Sequence, residues 1–274
     1  MSIYDGKKVL ITGASAGIGY ALSKELVKRG SEVIVTARRK DRLETLAQEI
    51  EKTGGKAHIF VEDLSIPESG KKLYDQIKSA GLNIDILINN AGYGRFGELT
   101  SNGRDDYSKM LQLNVITLTD LCHLYIPDMI TQGGGGIINV GSMASLSPIP
   151  YASVYSSSKA YVLMFSEAIR YEYQEKGIKV MALLPGGTES EFARVATEKS
   201  ETLTKRYQKR VGTAAGGTMQ TSLEVAIECL DAFEKNKQYL ICGSRNRFLY
   251  KLTRIMSRQR VLKMTGRIFK KIAG

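Results

Sequence analysis

The sequence predicts an α/β fold: a doubly wound, seven-stranded parallel sheet in a single domain, followed by a basic amphipathic C-terminal helical extension. Three observations carry this expectation. Short β-branched runs alternate with stretches of helical spacing along most of the chain. A glycine-rich loop stands at the first strand-to-helix junction. The charge balance changes abruptly near Gly243, dividing the chain into 1–244 and 245–274.

The elements follow in order. Residues 8–12 are a short apolar run ending at Gly13, read as a buried strand. Residues 18–29 repeat apolar side chains at helical spacing and stop at Gly30, a C-terminal cap residue. Residues 32–36 form a second strand, 41–52 a helix closed by Gly54-Gly55, and 57–61 a third strand. Residues 67–80 read as a helix with Pro67 in its first turn, and 84–88 as the fourth strand. A long helical stretch over 105–129 is expected to bend or break near Pro127. Gly133 to Gly136 reads as a flexible turn into the fifth strand, 137–141. Another long helix covers 151–174, and a sixth strand 178–184. The stretch 187–220 lacks a strand pattern and holds a charged helical piece. A helix over 223–234 and a seventh strand over 238–242 complete the sheet.

The chain has 274 residues, enough for one large α/β domain with a sizeable core. With 43% apolar and 24% charged residues, disordered, collagenous and disulfide-scaffold classes are excluded. No apolar run approaches the length of a spanning helix, and the N-terminus has no signal-like segment. Cys122, Cys229 and Cys242 are far apart and odd in number, which favours reduced thiols and a cytoplasmic location. His58 and His123 lie in unrelated segments, so no metal site is expected. The net charge of +11 is a property of the tail. Residues 245–274 hold ten basic and no acidic side chains, leaving 29 basic against 28 acidic in 1–244. A balanced body argues against nucleic acid as a partner.

The loop Thr12-Gly13-Ala14-Ser15-Ala16-Gly17-Ile18-Gly19 has the spacing G-x-x-x-G-x-G. Gly13, Ser15, Gly17, Ile18 and Gly19 would let backbone N–H groups approach a pyrophosphate at a helix N-terminus. An ordinary glycine-rich turn is the alternative reading. The second strand ends in Thr36-Ala37-Arg38-Arg39, with no carboxylate to bond a ribose diol. Two guanidinium groups suit a 2′-phosphate, so NADP(H) is expected over NAD(H). A solvated basic turn is the competing reading.

Ser142 ends the fifth strand, and Tyr155 and Lys159 share one face of the helix that follows. A phenol of ordinary pKa near ~10 transfers protons poorly at neutral pH. A neighbouring ammonium would favour the phenolate, and a serine hydroxyl could help hold a substrate oxygen. Together with the glycine loop, these residues resemble the short-chain dehydrogenase/reductase family. The resemblance runs over residues 5–244 and takes in Asp63-Leu64, Asn89 to Gly92, Asn114, Ser142, Tyr155, Lys159 and Pro185-Gly186. It implies a Rossmann fold with Asp63 and Leu64 at the adenine and Asn90, Ala91 and Gly92 lining the nucleotide pocket. It further implies that Asn114 holds a kink in a proton relay, Ser142 orients the carbonyl, and Tyr155 moves the proton. Lys159 would bond the nicotinamide ribose, and Pro185, Gly186 and Thr188 would flank the nicotinamide.

The expected reaction is hydride transfer between NADP(H) and a carbonyl or alcohol, with closure of the segment after Pro185 shaping the pocket. A lipophilic substrate, such as a long-chain ketone, retinoid or steroid-like carbonyl, suits the tail; a sugar or small polyol remains open. A catalytically silent NADP-binding sensor or scaffold is the alternative, although such proteins lack the Tyr or the Lys. The partners expected are a small-molecule substrate and further copies of this chain in a homo-oligomer. In the tail, Phe248, Leu249, Leu252, Ile255 and Met256, then Val261, Leu262, Ile268, Phe269 and Ile272, repeat at helical spacing. Two short helices are expected, which either contact an anionic membrane peripherally or pack on the body or a second subunit.

Overall fold

A computed structural model describes residues 2–196 and 219–273. Its centre is a seven-stranded sheet in the order β3-β2-β1-β4-β5-β6-β9, with every pair parallel. The strands are β1 Lys8–Thr12, β2 Glu32–Ala37, β3 Ala57–Val61, β4 Ile86–Asn89, β5 Gly135–Val140, β6 Ile178–Leu184 and β9 Tyr239–Ile241. β1, β4 and β6 read as near-continuous apolar runs because both faces of the sheet are covered there, whereas edge strand β3 is only partly buried. Successive residues of β1 show this. Val9 and Ile11 join the core under α1 (Gly17–Lys28) and α2 (Lys40–Glu51), while Leu10 joins the opposite core. That second layer holds α3 (Ser69–Ser79), α5 (Leu118–Thr131) and α6 (Ser153–Tyr173). The order of strands reverses direction between β1 and β4, and the loops at their carboxyl ends open into one crevice, where such sheets bind ligands.

Several boundaries differ from the sequence reading. The long helix over 105–129 does not break at Pro127, which lies inside α5 with Leu121, Tyr125 and Met129 holding that helix on the sheet. The break is a π-helical turn, Gln112–Thr117, between α4 (Arg104–Leu111) and α5. There Asn114 is fully buried and spends its side chain on another segment. Pro67 lies ahead of α3, and left-handed Glu68 (φ 63°) leads into that helix. Gly135 and Gly136 are strand residues: a Cβ on Gly135 would meet Met129 Cγ at 2.5 Å, and one on Gly136 would meet Phe233 Cζ at 2.6 Å. Close packing, not turn flexibility, excludes a side chain there.

The stretch 187–220 holds structure that its pattern did not announce. A two-residue strand β7 (Thr188–Glu189) pairs in parallel with β8 (Gln220–Thr221), and α7 spans Phe192–Ala196. The rest of the charged piece, with Leu203, Tyr207 and Val211, lies outside the described residues. α8 (Ser222–Glu234) starts at a capping box in which Thr221 accepts from Glu224 N and Glu224 accepts from Thr221 N. The expected pair of tail helices is present as α9 (Ser244–Arg254) and α10 (Arg258–Ala273).

Candidate active site

The crevice is a cavity of about 530 Å³ whose two ends have different chemistry. At the first end, the glycine loop is tied to β4. Thr12 Oγ1 accepts from Asn90 N at 3.0 Å and Ala91 N at 2.9 Å, and Asn90 Nδ2 donates to Thr12 O at 2.8 Å and Gly13 O at 3.2 Å. Gly13 sits at φ +68°, and a Cβ there would lie 2.9 Å from Ala91 Cα. Gly19 answers to the same closeness, since its Cβ would meet Asn90 Nδ2 and Gly13 O at 2.5 Å. Gly13, Ser15, Gly17 and Ile18 line the cavity, as do Asp63, Leu64, Asn90, Ala91 and Gly92, whereas Gly19 supports the loop from behind. α1 begins without a side-chain cap and with no acidic residue in its first turn. Its first N–H groups are therefore disposed to take an anion.

Arg38 and Arg39 also line this end. Arg38 is largely exposed and stands 3.9 Å from Asp63 Oδ2, a weak tether at that exposure. Arg39 is more constrained. Its Nη2 donates to Ser15 Oγ at 3.1 Å, and its Nη1 meets Glu191 Oε2 at 2.7 Å, which holds the Glu191 carboxyl below its ordinary range. Glu191 gave no sequence signal; an acid beside an aromatic in a charged stretch looks like any solvated residue.

The second end is built where β5 meets α6. Ser142 caps a short 3₁₀ turn, Met143–Leu146, accepting from Ala144 N at 3.1 Å, and Met143 N donates to Pro185 O at 2.9 Å. Ser145 accepts from Ser142 N and donates to Lys159 O at 2.6 Å, fixing the serine loop on α6. Ser142 is hydrogen-bonded to Tyr155, whose ring is buried. Lys159 is buried one turn on, and its Nζ donates to Val140 O at 2.8 Å. Burial pushes the Tyr155 phenol up to about 12, with the Ser142 hydrogen bond pulling the other way, and pushes the Lys159 ammonium down to about 8. Asn114 Oδ1 accepts from Tyr93 N at 3.2 Å, while its Nδ2 donates to Tyr93 O at 3.0 Å and Ser158 Oγ at 3.1 Å. A Cβ on Gly92 would lie 3.0 Å from Asn114 Oδ1 and 3.1 Å from Lys159 Nζ, so these two groups flank one point behind the cavity wall. Pro185, Gly186 and Thr188 complete this side, with Thr188 Oγ1 donating to Gly186 O at 3.2 Å.

The structure adds an aromatic group that no motif predicted. Phe192 lies 5.4 Å from the Tyr155 ring, centroid to centroid, and Phe96 6.4 Å from it. Phe269 of α10 closes on Phe96 at 5.8 Å and lines the cavity. A Cβ on Gly94 would press on Tyr155 Cδ2 and Phe192 Cζ at 3.1 Å. In the sequence Phe192 is only an apolar residue among the charges of the stretch 187–220, and Phe269 one apolar position of the amphipathic tail. Among the described residues, no group of three or more His, Cys, Asp or Glu is placed to hold a metal ion.

A glycine cradle at a parallel-sheet crevice, joined to a Ser–Tyr–Lys group at the next strand end, defines a nucleotide-dependent oxidoreductase site. Residues 7–201 match the short chain dehydrogenase family, and the chain belongs to it. It is 37% identical over 189 residues to a short chain dehydrogenase of Pseudocercospora fijiensis, a match covering 68% of this chain and 61% of that protein. The chain thus spans less than two thirds of that relative's length. It is 28% identical over 218 residues to the very-long-chain 3-oxoacyl-CoA reductase of Bos taurus, covering 76% of this chain and 69% of that one. Among solved structures, a short-chain dehydrogenase from Sphingobium yanoikuyae in complex with NADPH superposes with a TM-score of 0.76 at 26% identity, covering 92% of this chain and 96% of the other.

Proposed function

We propose that the chain transfers hydride reversibly between NADP(H) and a carbonyl or alcohol carried on an apolar chain. One observation carries the reading: a single cavity joins an arginine-edged anion cradle to the Ser142–Tyr155 pair and an aromatic wall. The donor set fits the cofactor. The uncapped start of α1 suits a pyrophosphate, Arg38 and Arg39 suit a 2′-phosphate, Asp63 and Leu64 edge the adenine side, and Asn90, Ala91 and Gly92 line the middle. The NADPH complex of the Sphingobium yanoikuyae relative supports the same choice.

When bound, NADPH supplies the hydride. Ser142 and Tyr155 hold the substrate oxygen between their hydroxyls. Tyr155 Oη gives its proton to that oxygen in reduction and takes it back in oxidation. Lys159, buried with its Nζ on Val140 O, would hold the nicotinamide ribose with its charge. Asn114 positions the Tyr93 backbone and the wall behind Lys159. Pro185, Gly186 and Thr188 shape the cofactor's reactive end. Phe96, Phe192 and Phe269 exclude water and pack an apolar substituent. The bovine relative, a very-long-chain 3-oxoacyl-CoA reductase, supports a long apolar substituent. The domain proposed for this work is 1–244, to which 245–274 adds one wall. Exposed Tyr161 and Met164 on α6, with Ile116, offer a surface for further copies of this chain. Among the described residues, no helix is long and apolar enough to cross a membrane.

NADPH oxidation by purified protein tests the reading against carbonyls graded by chain length, beside a sugar ketone of similar size. The expected result is kcat/KM rising with apolar chain length. No oxidation with any carbonyl, or a preference for the sugar, overturns it.

A further inference from the structure

The extension after β9 has two unlike sides. On α9, Asn246 Nδ2 donates to Cys242 O at 2.7 Å, and Tyr250 packs against the core around Leu184 and Ile241. That is the inner side. Phe248, Leu252 and Ile255, spaced four and three residues apart, fall on the opposite side and are 62%, 42% and 85% exposed. Single exposed apolar residues are ordinary, but three in one stripe opposite a packed face are not. Exposed Lys251 and Arg254 stand beside the stripe. On α10, the inner side is again defined by contacts: Val261 is buried, Thr265 Oγ1 donates to Pro148 O at 3.2 Å, and Phe269 meets Phe96. Arg260, Lys263, Arg267, Lys270 and Lys271 share the reverse side, all exposed.

From these two sides we infer that α9 and α10 form a docking surface for an anionic lipid bilayer, on an extension whose Phe269 lines the active-site cavity. Charge complementarity selects the occupant. The extension is purely cationic, while the body of the chain is nearly balanced, so a second copy offers no anionic counterpart of matching strength. A single-stranded nucleic acid needs aromatic platforms, and the outward apolar residues other than Phe248 are aliphatic. Aliphatic side chains beside lysine and arginine match the acyl boundary and the anionic headgroups of a bilayer. The same helix α10 that presents five cations outward presents Phe269 inward to the cavity. α10 therefore borders the cavity on one side and the lipid on the other, which brings a lipophilic carbonyl dissolved in the bilayer within one helix of the cavity. The lipid contact stands on the outward faces alone; delivery of substrate rests on the reductase reading.

The experiment is co-sedimentation of the full chain with vesicles of phosphatidylcholine alone and of phosphatidylcholine mixed with phosphatidylglycerol, at low and physiological salt. Two variants accompany it: Arg260→Glu with Lys263→Glu and Lys270→Glu, and Leu252→Ser with Ile255→Ser. Circular dichroism and thermal melting establish that both are folded. The full chain is expected to pellet with the anionic vesicles, less so as salt rises. The charge variant should lose about 100-fold in apparent affinity, and the apolar variant the part of the binding that persists at physiological salt. Inorganic phosphate should not displace the protein. Retention in the supernatant with anionic vesicles at low salt overturns the proposal. So does full displacement by phosphate, which would mark an isolated anion site, or loss of self-association in the variants with unchanged vesicle binding. Vesicle binding without NADPH oxidation would leave the docking surface standing and the reductase reading refuted.

Discussion

Tyr155 and Lys159 stand one helical turn apart, yet burial moves their protons in opposite directions, the phenol up to about 12 and the ammonium down to about 8. Proximity in sequence predicts that the lysine lowers the tyrosine. Instead Lys159 Nζ turns to Val140 O, and the group that pulls the phenol down is Ser142. Lys159 therefore loses its charge as pH rises through about 8. We expect kcat/KM for NADPH, which reports groups of the free protein, to fall above that pH. Lys159→Arg, charged throughout, should remove the fall; a flat wild-type profile would contradict the assignment. Unfolding does not explain such a fall. A lysine whose folded pKa is depressed below its ordinary 10.5 binds more protons unfolded over that window, so its contribution to stability rises with pH there. At the other end of the cavity, Arg39 is already engaged by Ser15 and Glu191, which leaves Arg38 as the freer guanidinium. Arg38→Ala should weaken NADPH binding by about 1.5–3 kcal/mol and leave NADH nearly unchanged, as read by fluorescence titration. Equal losses for both would remove the 2′-phosphate contact.

At the scale of elements, the strands were the most legible part. A parallel strand covered on both faces must be a short apolar run, and β1, β2 and β6 are such runs with turn residues behind them. What the pattern misplaced depends on partners distant in sequence. Gly135 and Gly136 look like a flexible turn until Met129 and Phe233 are set against them. Gly136→Ala should lower stability by about 1–3 kcal/mol through overpacking on Phe233, seen as a lower Tm, and Phe233→Leu should recover part of it. A Tm unchanged by Gly136→Ala would mean that the strand starts later. Likewise Pro127 draws the eye as a helix breaker, but its helix face is anchored by Leu121, Tyr125 and Met129. The helix instead widens at Gln112–Thr117, where Asn114 turns its amide to Tyr93 and Ser158. The position of Asn114 could be read from the sequence; that the distortion sits at this residue could not.

Across the whole molecule, the proposed catalytic group could be picked out because its members lie close in sequence, with Ser142, Tyr155 and Lys159 spanning one strand end and one helix. The proposed substrate wall could not, because Phe96, Phe192 and Phe269 come from three segments that only the fold unites. The tail, which the family pattern does not require, supplies one of them. Phe269→Ala should raise KM for long-chain carbonyls by about 10-fold, in line with the burial of an aromatic side chain, while NADPH affinity and short-chain turnover stay near wild type. A uniform loss over all substrates would instead mark Phe269 as a residue that holds the fold. The central claim is that a phenol at the meeting of cradle and aromatic wall moves the substrate proton. Tyr155→Phe removes that hydroxyl and keeps the ring packed against Phe96 and Phe192. The most direct measurement is NADPH oxidation by wild type and Tyr155→Phe with one long-chain carbonyl, NADPH affinity being measured on both. We expect unchanged NADPH affinity and turnover reduced by about 10²-fold or more; turnover near wild type in the variant would contradict the account.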